Sequence, residues 1–152
     1  MADEDVTPDI TTEVVGLMAA VTRRYADEAQ AAATPHGLTA MQAKALRTAR
    51  TPVPMRRIAE VLHAEPSNVT PIIDRLVEYG LLERRPNPAD RRGKLVAATE
   101  AGLVVVADLT ARMPFTADPL AALTDDQRHT LRDLLKLVAT TPTPRPGAGA
   151  GS

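Results

Sequence analysis

Residues 65–98, EPSNVTPIIDRLVEYGLLERRPNPADRRGKLVAA, decide the fold. Pro66 suits the first position of a helix, where its missing N–H costs nothing. Beyond it Val69, Ile72, Ile73, Leu76 and Val77 recur at helical spacing and predict a buried stripe. That leaves Ser67, Asn68, Thr70, Pro71, Asp74 and Arg75 facing out. Gly80 stands where a C′ glycine ends a helix. Leu81 to Arg85 and Lys94 to Ala98 then read as two strands, with Pro86 to Gly93 as the loop between them. A helix followed by a basic hairpin suits a nucleic-acid duplex. The helix fits the major groove, and the hairpin reaches the backbone or the minor groove.

Upstream, His63-Ala64-Glu65 forms a short turn from a preceding helix. That helix follows a hard break at Thr51-Pro52-Val53-Pro54, with Pro54 in its first turn and Ile58, Ala59 and Leu62 facing inward. Helix, tight turn and helix make a helix-turn-helix pattern. Thr39 and Gln42 have capping-box spacing, which predicts another helix from there to about Ala49. Thr34-Pro35-His36-Gly37 ends a long first helix that starts near Asp9 and reaches Ala33. Its Ile10, Val14, Leu17, Val21 and Tyr25 form one apolar stripe, which needs cover from the rest of the chain or from a second copy.

Downstream, Thr99 reads as the N-cap of a fifth helix carrying Leu103, Val104, Val106, Ala107 and Leu109, although its valine run also fits a strand. Pro114 and Pro119 bracket a break. Thr124 and Gln127 form a second capping box, opening a sixth helix with Leu131, Leu134, Leu135 and Val138 inside. Residues 1–8 and the tail 140–152 are polar or rich in Pro and Gly and are expected to be disordered. The fold class is therefore mainly α with a small β-wing.

Composition narrows the function. At 152 residues the chain fits one domain, or a small domain with an accessory helical part. It has no cysteine, which excludes disulfides, thiolate metal sites and a thiol redox sensor. No apolar run approaches the roughly 20 residues of a membrane span, and the acidic start lacks the regions of a signal peptide. The expected location is the cytoplasm. The net charge of −1 hides a strong asymmetry. From Lys44 to Lys94 there are 11 basic and 6 acidic residues, whereas the remainder holds 7 basic and 13 acidic. Salt screens charges beyond roughly 10 Å at 0.1 M, so a basic middle can meet phosphates while the acidic ends stay clear.

Several of these residues together resemble the MarR family of bacterial transcription regulators. They are Val69-Thr70, Asp74-Arg75-Leu76, Gly80-Leu81-Leu82-Glu83-Arg84, Pro86-Asn87-Pro88, Asp90-Arg91-Arg92 and Thr99-Glu100-Ala101-Gly102. The Asp-Arg-Arg hairpin followed by a Thr-x-x-Gly helix start is the more specific part, and the order of helices extends the likeness to about residues 10–139. The resemblance implies a homodimeric winged helix-turn-helix domain over residues 9–139. Residues 38–98 would form its DNA-binding part, and 9–33 and 99–139 its dimerisation helices. It also implies two recognition helices in successive major grooves and, for many relatives, repression released by a small aromatic or anionic effector.

On that reading the DNA-binding residues are Ser67, Asn68, Thr70, Pro71, Arg75, Arg85, Asp90, Arg91, Arg92 and Lys94. The family pattern places an arginine such as Arg92 at the wing tip, in a minor groove whose negative potential attracts a guanidinium. Asp90 would hold an arginine there by a charge-assisted bond. The bland alternative is a solvated hairpin tip. Ser67, Asn68 and Thr70 can donate to phosphates or base edges, or can simply cap and solvate the helix end. Arg75 can reach a phosphate or pair with Asp74 or Glu78. Pro71 departs from the family pattern, where a longer polar or basic residue is common. Its missing N–H leaves the Ser67 carbonyl without a helical donor, so the helix bends or its regular part starts late.

An effector pocket is expected between the dimerisation helices and the winged part, bordered by Arg84 and Thr70 on one side and by His36 or Arg50 on the other. His36, His63 and His129 are too scattered for a metal site, and His63 in its tight turn reads as structural. No cofactor is implied. No nucleophile triad, carboxylate pair or Gly-rich phosphate loop appears, so an enzyme is not expected. The reading is a DNA-binding transcriptional regulator acting as a ligand-responsive repressor on a pseudo-palindromic operator. The alternative is a winged-helix module for protein interaction or ligand binding, without specific DNA binding.

Overall fold

The computed structural model describes residues 9–142, so the expected disorder of residues 1–8 and most of the tail lies outside the described residues. The chain divides into two units, residues 1–117 and 118–152. In the first, α1 (Ile10–Ala33) runs into a single 3₁₀ turn (Thr34–His36) and then α2 (Ala40–Thr48). A two-residue strand β1 (Val53–Pro54) leads directly into α3 (Met55–Leu62) and α4 (Pro66–Glu78). Strands β2 (Leu82–Asn87) and β3 (Asp90–Ala98) form the hairpin, followed by α5 (Glu100–Ala111) and the short α6 (Pro114–Ala117). The second unit holds α7 (Asp125–Thr140).

Local chemistry accounts for most boundaries. The Thr39 hydroxyl accepts the Gln42 amide while the Gln42 side chain accepts the Thr39 amide, and Thr124 with Gln127 repeats the arrangement. At the end of α4, Gly80 takes φ 71°. Its amide donates to the Val77 carbonyl and that of Leu81 to the Leu76 carbonyl, which closes a Schellman motif. The C-terminus of α3 uses the same bonding pattern with His63 at φ 51° in place of glycine. A left-handed non-Gly residue costs roughly 1–2 kcal/mol. His63→Gly is therefore expected to stabilise the fold by about 1 kcal/mol, less what glycine loses in the unfolded chain, read as a raised denaturation midpoint.

The sheet has the order β1-β3-β2 and is antiparallel throughout. Here the strands differ from the sequence expectation. β1 was not foreseen. Val53 and Pro54 pair with Val96 and Leu95, so Pro54 is the N-cap of α3 and lies just before the first turn in which it was expected. The hairpin also extends further, to the pair Asn87 and Asp90, with Pro88-Ala89 as its turn. Two residues cannot signal a strand by periodicity, and the pairing that makes them one comes from more than forty residues away.

The core of the first unit gathers Leu46, Ile58, Val69, Ile73, Leu76, Leu82, Val96 and Leu109, all fully buried. The stripe expected for α4 is in place, with Val69, Ile73 and Leu76 buried and Ile72 and Val77 half-buried. In α5 the buried face is Gly102, Val106 and Leu109, whereas Leu103, Val104 and Ala107 are exposed. That helix is apolar on most sides, so spacing alone could not choose the face. Most of the stripe of α1 is not covered: Ile10, Val14, Leu17 and Val21 are exposed and Tyr25 is half-buried, while the helix's fully buried residues are Ala32 and Ala33. No residue of α7 is buried either. Leu134, Leu135 and Val138, expected inside, are exposed, and Leu131 is half-buried.

One polar contact ties α6 to α1. The Glu28 carboxylate accepts the amides of Phe115 at 2.9 Å and Thr116 at 2.7 Å, and the Thr116 hydroxyl at 2.6 Å. Burial pushes the Glu28 carboxyl up, but the Thr116 hydroxyl, the two amides and Arg24 outweigh it and hold it below the ordinary range. Arg24 also lies 4.0 Å above the Phe115 ring, which stands 5.0 Å from Tyr25. Because the folded value is depressed, this contact contributes fully above the unfolded value of about 4.3 and is lost as pH falls through the folded value. Glu28→Gln should lower stability at neutral pH, and its acid denaturation curve should converge with that of the unaltered chain only once the pH has fallen below the depressed folded value of the Glu28 carboxyl.

Candidate nucleic-acid interface

The surface built by α3, α4 and the β2–β3 hairpin holds most of the candidate residues. Ser67, Asn68, Thr70 and Pro71 are all exposed on the N-terminal half of α4. The Thr70 hydroxyl donates to the Pro66 carbonyl at 3.2 Å, so it is already satisfied within the helix. The helix is continuous from Pro66 through Pro71, so its regular part does not start late. Further along the same surface, Arg75 donates to Glu78 at 3.2 Å and lies 5.5 Å from the Tyr79 ring. Its guanidinium is held charged more firmly than usual by the hydrogen bond to Glu78. Of the alternatives open in the sequence, this is the pairing with Glu78.

Arg84 forms an ion pair with Asp74, both side chains partly exposed. The pair joins β2 to α4, so the hairpin and this helix are held by a charge-assisted bond in addition to their packing. Arg85 pairs with Glu83 at 2.6 Å.

At the wing tip the ladder jumps. Pro86 pairs with Lys94, but the next residue, Asn87, pairs with Asp90. Arg91, Arg92 and Gly93 therefore have no partners on β2 and form a bulge in β3. Asp90 does not grip an arginine side chain. Its Oδ1 accepts the Arg92 backbone amide at 3.0 Å, while Asn87 Oδ1 accepts the Ala89 amide at 3.0 Å. Both are short-range side-chain-to-backbone bonds that shape a turn. They leave the Arg91, Arg92 and Lys94 side chains exposed and without ion pairs among the described residues.

A residue the sequence reading passed over joins this surface. Arg56, exposed on the first turn of α3, lines an open cleft of about 660 Å³ with Glu60, His63, Pro66 and Asn68. It has no ion pair among the described residues, unlike Arg57, which bonds Glu60. Its signal in the sequence is the basic pair Arg56-Arg57 just inside the helix start, two residues after Pro54.

None of the clefts described here is lined by more than one of the four expected effector residues. Arg84 faces Asp74, Thr70 faces the Pro66 carbonyl, and Arg50 is exposed after α2. Of the four, His36 lines a cleft of about 430 Å³ with Gly37, Tyr79, Leu81 and Val105. There His36 Nε2 lies 2.7 Å from Asp108, which also accepts Arg112 at 2.6 Å. The bonds from Arg112 and His36 hold the Asp108 carboxyl below its ordinary range. No group of three or more potential metal ligands occurs among the described residues, and no helix there is long and apolar enough to cross a membrane.

Comparison with known proteins matches residues 38–94 to the model of the MarR family. The multiple antibiotic resistance protein MarR of Salmonella typhimurium is 34% identical over 112 residues, covering 69% of this chain and 76% of that protein. Among solved structures, a mutant MarR from E. coli complexed with operator DNA superposes with a TM-score of 0.63 at 29% identity, covering 86% of this chain and 99% of that one. CouR from Rhodococcus jostii RHA1, bound to p-coumaroyl-CoA, gives 0.71 at 26% identity, covering 91% of this chain and all of that one.

Proposed function

The chain belongs to the MarR family of transcriptional regulators, and from that premise we propose that it binds a pseudo-palindromic DNA operator as a homodimer and acts as a ligand-responsive repressor. One observation carries the DNA contact. A recognition helix with an exposed polar N-terminal half is tied by Asp74 and Arg84 to a hairpin whose bulge leaves Arg91 and Arg92 unpaired. Arg92 and Lys94 would meet the minor groove and its flanking phosphates, and Ser67 and Asn68 the major groove edge. Arg56 would add a phosphate contact. Arg75 and Arg85, already paired with Glu78 and Glu83, would contribute less. The E. coli relative in complex with operator DNA supports this reading.

The exposed apolar rows of α1 and of α7 support dimerisation, since each needs cover from another surface. Two copies would place half-sites about 10 base pairs apart. The cleft at His36 and Tyr79 is where we place a small effector, by analogy with a relative that holds a coenzyme A thioester. No enzymatic activity is proposed, and the compartment is that of operator DNA, the bacterial cytoplasm.

Selection of bound sequences from random duplexes tests this directly. A palindromic consensus should emerge, bound with an affinity that falls steeply with salt through counterion release. Repeating the selection with a panel of small aromatic acids should reveal one that releases the DNA. No salt-dependent duplex binding would favour a protein-interaction module instead.

A further inference from the structure

We propose that Pro71 determines specificity, its ring reading the 5-methyl group of a thymine in each half-site by apolar contact. The inference rests on the DNA-binding reading above and names what the centre of α4 recognises. A proline inside a helix removes one backbone hydrogen bond and crowds the preceding turn. In α4 the missing bond is the one to the Ser67 carbonyl, and Ser67 and Pro71 are both exposed. The core does not require the ring there. Val69, Ile73 and Leu76 face the interior, and at 3.6 residues per turn position 71 lies about half a turn round from them.

The polar groups around the ring are engaged elsewhere. Asp74, one turn on, bonds Arg84. Arg75 bonds Glu78, and the Thr70 hydroxyl bonds the Pro66 carbonyl. The middle of the outward face is thus an apolar knob, with Ser67 and Asn68 supplying hydrogen bonds only on its N-terminal side. Proline can neither donate to nor accept from a base edge through its side chain, and a phosphate gains nothing from it. The one apolar feature that distinguishes base pairs in the major groove is the thymine methyl. A proline ring also meets it without losing rotamer entropy.

The test uses the selected operator duplex and the full-length protein. Each thymine of the half-site is replaced in turn by deoxyuridine, which deletes only the methyl group. Binding is measured by fluorescence anisotropy at fixed salt for the unaltered protein and for Pro71→Ser, which removes the ring and restores an N–H. We expect one thymine position per half-site where deoxyuridine weakens binding about fourfold, the factor for withdrawing one buried methyl, and no such loss in Pro71→Ser. A flat scan on a duplex still bound selectively would overturn the proposal and leave the DNA-binding reading intact. So would a deoxyuridine loss that persists unchanged in Pro71→Ser. Absence of selective binding to the unmodified duplex would overturn both.

Discussion

Gly102→Ala should cost the fold a net of about 1–3 kcal/mol, although most Gly→Ala changes inside helices stabilise by about 1 kcal/mol. The reason lies in how α5 begins. The Thr99 amide donates to the Leu81 carbonyl at 3.0 Å, and its hydroxyl donates to the Gly80 carbonyl at 2.6 Å while accepting the Gly102 amide. These bonds draw the first turn of α5 onto the backbone that follows α4. A Cβ at position 102 would lie well inside contact distance of the Leu81 carbonyl oxygen and would crowd its carbon and the Ala98 side chain. Those backbone atoms cannot rotate aside, because the Leu81 amide is fixed by the Schellman motif. Relief requires shifting α5 and giving up the bond to Leu81. Overpacking at roughly 1–3 kcal/mol and a lost hydrogen bond at about 1 kcal/mol outweigh the gain in helix propensity. Gly16→Ala is the matched control. Nothing lies within 4 Å of its added Cβ on α1, so it should stabilise by about 0.5–1 kcal/mol. Urea denaturation of both variants reads the opposite signs. An unchanged midpoint for Gly102→Ala would refute the close approach.

Arg92→Ala is expected to weaken operator binding by about 1–3 kcal/mol, or roughly 5- to 150-fold, with stability and oligomeric state unchanged. The backbone at Arg92 is set by Asp90, and the residue lies on the unpaired bulge with its side chain exposed. A side chain presented from a shaped turn loses less entropy on binding than one on a mobile loop. Arg92→Lys separates charge from shape. It keeps the charge but loses the planar guanidinium, so it should recover only part of the affinity. Unchanged affinity of Arg92→Ala at physiological salt would remove Arg92 from the interface. The neighbouring Asp90→Ala should produce a smaller loss, because it frees the turn without removing a cation.

Much of the candidate interface was legible in the residues. The polar start of α4, the arginines of the hairpin and the Thr99 to Gly102 helix start stand where the pattern put them. What could not be read was the partner of each charged group. Asp74, Arg75, Arg84 and Glu78 offer several pairings in sequence, and the structure selects Asp74 with Arg84 and Arg75 with Glu78. Asp90, expected to hold a guanidinium, takes a backbone amide two residues away. The three-residue bulge likewise follows from the register of β2 against β3, which no single strand announces.

The amino-acid sequence by itself determined the kinds of element, most of their ends and the family. Those depend on helical spacing and on caps such as Thr39 with Gln42, Thr124 with Gln127 and the glycine at position 80, whose hydrogen bonds close within five residues. Only the tertiary structure decided that Val53 and Pro54 are a strand, that α5 turns Gly102, Val106 and Leu109 inward, and that the apolar rows of α1 and α7 remain exposed. An apolar row states that a surface needs cover, but which surface provides it depends on residues far away in the chain or outside it.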